Sequence, residues 1–282
     1  MADDLTVIVV AVVGGEAFRA CAEAVRVQAS NLLLVSKDGK ITDHAGETIG
    51  HAEHCNIPFK RKCAVELSPT PLVALIEDTV MPGPEWASAI RTALSDRTAL
   101  GCGGPVSIDP GLPASSRALA LSEYGKFGVR RSAGERMELP GCNFAFRRSA
   151  LLEAMPAGDG LVDQTIFARL RNRGGNLLWV PGMAVTFCHA NLEGARLATR
   201  FRHGRIYASS QSKGLFARTA AAGKALLLPP VLVIRNLRTS PPAERLSIAT
   251  IGWLALQSTA WAAGELAGAV LGASPKGLAQ WQ

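Results

Sequence analysis

Apolar positions fall into short β-branched runs separated by stretches of helical period. Leu5 to Val13 is dense in valine and closes on Gly14-Gly15. A run apolar at nearly every position suits a central strand covered on both faces. From Glu16 to Gln28 the period changes: Phe18, Cys21, Ala22 and Val25 recur at helical spacing. Asn31 to Val35 reads as a second strand, ended by the turn Ser36-Lys37-Asp38-Gly39. This β-α-β opening predicts an open α/β sheet whose site lies at the carboxyl edge of its strands.

Residues 40–60 are polar and irregular, and a helix is expected from Lys60 to Leu67. Leu72 to Ile76 predicts another buried strand, running directly into Glu77-Asp78-Thr79. Trp86 to Leu94 is helical in pattern, and Leu100 to Val106 is a glycine-rich strand or turn. Residues 107–140 read as loop around a helix near Leu119 to Lys126. Gly141 to Arg148 leads into a helix at Ala150 to Ala154. Asp163 to Arg173 is helical, Leu177 to Val180 a strand, and Pro181 to Ala190 a last sheet element containing His189. No internal repeat is visible.

Beyond Thr219 the texture turns apolar. Ala225 to Ile234 is interrupted by Pro229-Pro230 and is too short to cross a hydrocarbon core of about 30 Å at about 1.5 Å per residue. Leu246 to Gly272 has one charge, Glu265, and is long enough to span. Its Gly264, Gly268 and Gly272 recur every fourth residue, a spacing that permits close helix approach. Two readings stand: a membrane-associating helix, or a helical hairpin buried in the protein.

Composition narrows the class. With 282 residues, 48% apolar and 19% charged, the chain can bury a sizeable core, which excludes wholesale disorder. The net charge of +7 is local: Arg196 to Arg245 holds ten Lys or Arg and one acid, Glu244. Such a belt, ahead of an apolar tail, suits anionic headgroups or a diphosphate. Its few aromatics, Phe201, Tyr207 and Phe216, argue against nucleic acid. Six cysteines form no C-x-x-C pair and read as reduced thiols of a cytosolic compartment. The Met-Ala-Asp-Asp start and the short apolar run after it lack the pattern of a signal peptide.

Glu77-Asp78 at a strand's carboxyl end either holds a hard cation or ends the strand as solvated turn residues. Its surroundings carry a resemblance. Ala-Leu-Ile-Glu77-Asp78-Thr79-Val-Met-Pro82-Gly-Pro84-Glu-Trp86 resembles the strand, D-x-D-type motif, proline turn and tryptophan of family-2 glycosyltransferases. Pro140-Gly141-Cys-Asn143-Phe-Ala-Phe-Arg147-Arg148 resembles their acceptor-side segment, and Val162-Asp163 through Arg169-Leu170 to Gly174 their E-D-x-x helix start. A Trp-Val-Pro strand and His189 follow. The matches run in the family's order over roughly residues 5–205.

The resemblance implies a GT-A-like fold, mixed but mostly parallel, flanked by helices, with apolar helices after it. Residues 1–218 would form the glycosyltransferase domain and 219–282 a C-terminal membrane-associating helical segment. It implies sugar transfer from a nucleotide-sugar to an acceptor hydroxyl by inverting displacement, with Asp163 as general base. Asp38, Arg61, Glu77, Asp78 and Arg205 are the donor-binding candidates, Arg61 having also the reading of an ordinary surface arginine. Gly141 and Asn143 are acceptor-side candidates, Asn143 alternatively satisfying a turn. Asp78, Thr79 and His189 are the candidate ligands of a divalent Mg²⁺ or Mn²⁺. The tail raises the expectation of a lipid or lipid-linked acceptor at a membrane surface, on the cytoplasmic side of the inner (plasma) membrane. Three departures favour an alternative, a non-catalytic binding or scaffold protein of the same fold: Thr79 replaces an acidic ligand, Val162 an acid, and Ser36 an acid near the nucleotide.

Overall fold

A computed structural model describes residues 4–52, 56–128, 133–136, 138–155, 161, 163–190, 196–211, 215–239 and 246–272. Val162 and Cys55 lie outside them. The first half runs β1 (Leu5–Val10), α1 (Gly15–Arg26), β2 (Asn31–Val35), β3 (Lys40–Thr42), β4 (Thr48–His51), α2 (Ile57–Leu67), β5 (Leu72–Glu77), β6 (Val80–Pro82), α3 (Trp86–Ser95), β7 (Ala99–Gly103), β8 (Val106–Ile108) and α4 (Ala114–Tyr124). The second runs β9 (Gly134–Glu135), β10 (Asn143–Arg147), α5 (Arg148–Ala154), α6 (Asp163–Asn172), β11 (Asn176–Trp179), β12 (Val185–Phe187), α7 (Leu197–Gln211), α8 (Leu215–Thr239) and α9 (Ile248–Leu271).

Two compact units result: residues 1–107 with 129–189, and residues 108–128 with 190–282. The sequence reading drew its division at 218; here α7 and α4 belong with the C-terminal helices.

The first unit is built on a sheet of order β4-β3-β2-β1-β5-β10-β7-β11-β9, with a small sheet β6-β12-β8. β1 and β5 are apolar along nearly their whole length and buried at every position, as strands covered on both faces must be. The "mostly parallel" expectation needs correction. β1 pairs in parallel with β2 and β5, and β7 with β11, but β10 runs antiparallel between β5 and β7, and the β2-β3-β4 meander and β9 are antiparallel too. The polar residues 40–60, read as irregular, form that meander and the start of α2. Their strands are short and edge-lying, so no long apolar run announces them.

Local chemistry explains the helix that matters most. Asn56 caps α2 by accepting a hydrogen bond from the Phe59 amide at 3.0 Å, and Pro58 occupies its first turn. β7 is glycine-rich for a packing reason: a side chain at Gly101 would collide with the ring of Phe146 on β10. Phe144, Phe146 and Phe167 then pack with centroids 5.4 to 6.2 Å apart, Phe144 edge-on to the other two and Phe146 stacked on Phe167, fixing α6 on the sheet.

The second unit centres on α9, which packs against α7, α8 and α4. Two of its glycines meet backbone. A side chain at Gly264 would strike the Phe201 carbonyl, one at Gly268 the Arg205 carbonyl, and one at Gly204 of α7 the Trp261 carbonyl. Glu265, the lone charge of the stretch, accepts from the Trp261 indole at 2.5 Å. Arg200 pairs with Glu123 at 3.0 Å and lies 4.8 Å over the Trp261 ring. The stretch from Leu246 to Gly272 is long enough to span by residue count, but among the described residues no helix is long and apolar enough to cross a membrane. Polar Thr250, Gln257 and Ser258 are fully or nearly buried, with Gln257 donating to the Ser115 carbonyl, so the spacing GxxxG serves packing inside this unit. α8 continues through Pro229-Pro230, where the sequence reading expected a break.

Candidate active site

β1, β2 and β5 run parallel and end together, so the β1–α1 loop, the β2–β3 turn and Glu77-Asp78-Thr79 gather at one carboxyl edge. β10 starts there, because it is antiparallel to β5: Asn143 faces Ile76, and the Glu77 amide donates to the Cys142 carbonyl at 3.3 Å. The loop 140–142 thereby borders the acidic strand end. α6 is held against β10 by Ile166, Phe167 and Leu170, which places Asp163, in its first turn, at the same edge.

One side chain links these parts. Arg61, buried on α2, donates from Nη1 to Asp163 Oδ1 at 2.8 Å and from Nη2 to Glu77 Oε1 at 2.6 Å. Nη2 also reaches the Gly141 carbonyl at 2.6 Å, and the guanidinium lies 5.3 Å over the Phe144 ring. The surface reading of Arg61 is therefore corrected. The signal was in the sequence: Arg61 shares a helical face with Ile57, Ala64 and Val65, residues that face the core.

The Asp163 side chain stays 26% exposed, so a ligand can reach it. Surrounding protein raises its pKa chiefly through desolvation, which the Arg61 charge and hydrogen bond oppose. Its Oδ2 lies against Gly141, where any β-carbon would displace it.

The candidate metal site does not form. Asp78 is fully buried, and its carboxylate accepts from three successive amides. Oδ1 takes Val12 at 2.8 Å and Val13 at 2.9 Å; Oδ2 takes Val13 at 3.1 Å and Gly14 at 2.6 Å. Those contacts use the roughly four lone-pair sites a carboxylate offers. Thr79 hydrogen-bonds Glu77 Oε2 at 3.3 Å, and its carbonyl accepts from the His189 and Cys188 amides, both at 3.1 Å. His189 does come back beside Thr79, through its backbone. Among the described residues no three His, Cys, Asp or Glu side chains are grouped to hold an ion. The residues present thus do not fit a divalent cation. The geometry gives Glu77 and Asp78 a local task instead: one anchors Arg61, the other ties down the β1–α1 loop, whose Gly14 and Gly15 have positive φ.

Asn143 also differs from expectation. It is fully buried, accepts from the Trp86 indole at 2.8 Å and donates to the Met183 carbonyl at 2.8 Å. It locks β10 to α3. Asp38 stands exposed on the β2–β3 turn, its carboxyl held below the usual range, chiefly by the Ser36 hydroxyl. Lys60, buried on α2, donates to the Lys37 carbonyl at 2.6 Å and so steadies this turn. Arg205 belongs to the second unit, where its Nε donates to the Gly272 carbonyl at 3.0 Å, at the end of α9. None of the five described cysteines forms a disulfide.

Neither a protein-family model nor a curated protein matches the chain. Solved structures do. A mannosyltransferase from Pyrobaculum calidifontis, solved with GDP-Man and Mn²⁺, is similar with a TM-score of 0.55 and 15% identity, over 93% of this chain and 86% of its own. GalNAc-T7, solved with UDP, GalNAc and Mn²⁺, gives 0.50 and 12% identity, over 97% of this chain and 58% of its own. This chain thus spans little more than half of that protein. At such identities the likeness is one of architecture: the mixed α/β fold of this chain is that of GT-A-type glycosyltransferases.

Proposed function

We propose that the chain transfers a sugar from a nucleotide-sugar to an acceptor hydroxyl by inverting displacement, with Asp163 as general base. The observation that carries this reading is the placement of Asp163. It is a partly open carboxylate of raised pKa, fixed at the carboxyl edge of the sheet where GT-A folds bind their donors. A raised pKa makes the carboxylate a stronger base. Oδ1 is held by Arg61, so Oδ2, over Gly141, is the oxygen that takes the acceptor proton. The acceptor oxygen attacks the anomeric carbon as its bond to the diphosphate breaks on the opposite face. A glycoside of inverted configuration and a nucleoside diphosphate result, with no covalent enzyme intermediate.

The acceptor in this proposal is a lipid or lipid-linked alcohol, met at the cytoplasmic face of an inner membrane by surface association. α8 supports it. Leu227, Val231 and Ile234 are exposed on one face, and Lys224, Arg235 and Arg238 are exposed beside them. An apolar stripe edged by cations, with no acid in the helix, suits the headgroup boundary of an anionic bilayer.

Turnover on a panel of GDP- and UDP-sugars with membrane lipid extract tests both parts. Wild type should transfer sugar, and Asp163→Asn should lose about 10²- to 10⁴-fold in kcat. Activity surviving in Asp163→Asn sinks the base assignment. Flotation with anionic vesicles should recover the protein, and Lys224→Glu with Arg235→Glu should abolish recovery; neutral and anionic vesicles binding alike would refute the headgroup reading.

The occupied state of Glu77 and Asp78 favours a second reading, a non-catalytic binding protein of the same fold. It predicts nucleotide binding without turnover on any donor of the panel.

A further inference from the structure

A guanidinium that grips a diphosphate must present open N–H groups to solvent. The Arg61 side chain is only 6% exposed, and both terminal nitrogens already have partners. Its placement has another logic. A buried guanidinium is costly unless paired, and here two carboxylates from distant segments pair it: Glu77 from the end of β5 and Asp163 from the start of α6. The Gly141 carbonyl completes the fork, and Phe144 lies under its plane. A planar fork held by a fixed anchor leaves its remaining carboxylate partner one position. Here Glu77 is the anchor. Asp163 is the partner, and its second oxygen is set against Gly141, where only a missing side chain leaves room.

We propose that Arg61 is the positioning residue of Asp163, with Glu77 orienting the Arg61 fork. The inference rests on Asp163 being the general base. Arg61 performs two tasks: it fixes Oδ1 so that Oδ2 points at the acceptor hydroxyl, and its charge favours the ionised form against desolvation. The charges facing Asp163 among the described residues are Arg61 from α2 and, across it, Glu77 from β5. Other charges near α6 sit toward its far end: Arg173 pairs with Glu153 of α5 at 3.0 Å, and Arg169 donates to the Ala154 carbonyl at 3.1 Å. Lysine cannot replace Arg61, since an ammonium is a point charge without a fork.

The direction of the pH effect follows. Arg61 opposes the desolvation that raises Asp163. Weakening that contact raises Asp163 further, so the acid limb of the kcat profile moves to higher pH. Kinetics on the full chain, with thermal unfolding of each variant, test this. Arg61→Lys should lower kcat about 10²-fold, leave donor KM within about threefold, and shift the acid limb up by about one pH unit. Glu77→Gln keeps the Arg61 charge but frees the fork: kcat should fall about tenfold without an upward shift of the limb, and the double variant should be less than additive. The ¹³C carboxyl resonance of Asp163 reads the same upward shift in Arg61→Lys without turnover.

A rise in donor KM with kcat and acid limb unchanged would return Arg61 to the diphosphate and overturn the proposal. So would an unshifted Asp163 resonance. If Arg61→Lys does not fold, Glu77→Gln decides, and unchanged kcat there is fatal. Activity retained in Asp163→Asn brings down the base reading itself. An inactive Asp163→Asn beside an unaffected Arg61→Lys brings down this inference alone.

Discussion

Asp163 sits at the cost of stability. Its carboxyl is raised by desolvation, so between the unfolded and folded pKa values the native state binds more protons than the unfolded chain. Stability from this group is therefore fully present at low pH and falls as pH rises through the folded pKa, the reverse of a salt-bridged Asp of lowered pKa. Asp163→Asn removes that cost while keeping an oxygen for Arg61. Thermal unfolding at pH 7 to 8 should give a Tm equal to or above wild type, with the gain vanishing toward pH 4. A lower Tm at neutral pH would show that the ionised carboxylate stabilises the fold. Gly141 makes a second test of the same placement. Gly141→Ala should leave Tm nearly unchanged but cut kcat about 10²-fold, because its β-carbon meets Oδ2. Unaltered kcat would detach the loop from the chemistry.

Among the elements, α7 and α9 approach to backbone contact, with the side-chain contacts of Arg200 and Tyr207 on Trp261 beside it. Gly204, Gly264 and Gly268 each face a carbonyl of the opposite helix, and carbonyls, unlike side-chain tips, cannot swing aside. Gly264→Val should therefore cost about 3 kcal/mol, read as a Tm lower by roughly 5–10 °C. Gly252, on the exposed side of α9 with open space around it, is the control. Gly252→Ala should be neutral or stabilising by up to about 1 kcal/mol, since only helix propensity changes. Equal effects at the two sites would deny the close approach.

For the whole molecule, the helical unit joins residues 108–128 to the C-terminal helices, so it cannot be trimmed as an appendage. A chain ended after residue 218 keeps α7 and α4 but removes the helix both pack against. It should aggregate, eluting in the void volume on size exclusion where the full chain does not; a well-behaved shortened protein would mean that α9 is dispensable. How much of this was legible in the amino-acid string follows a physical line. β1, β2 and β5 and the helices α1 and α3 were readable because each is a local apolar period, and Glu77-Asp78 because it ends such a strand, whereas Asp163 stood out through the resemblance of its segment. The small-residue spacing of Gly264 and Gly268 announced a close helix approach, though not its partner. What each polar group touches was not readable. Arg61, Glu77, Gly141 and Asp163 are up to about a hundred residues apart, and only the sheet brings them together. Whether Asp78 faces a cation or three amides depends on the path of the β1–α1 loop, and whether Asn143 meets an acceptor or Trp86 depends on where α3 lies. A residue's type limits which bonds it can make; the assembled strands and helices decide which of them it does.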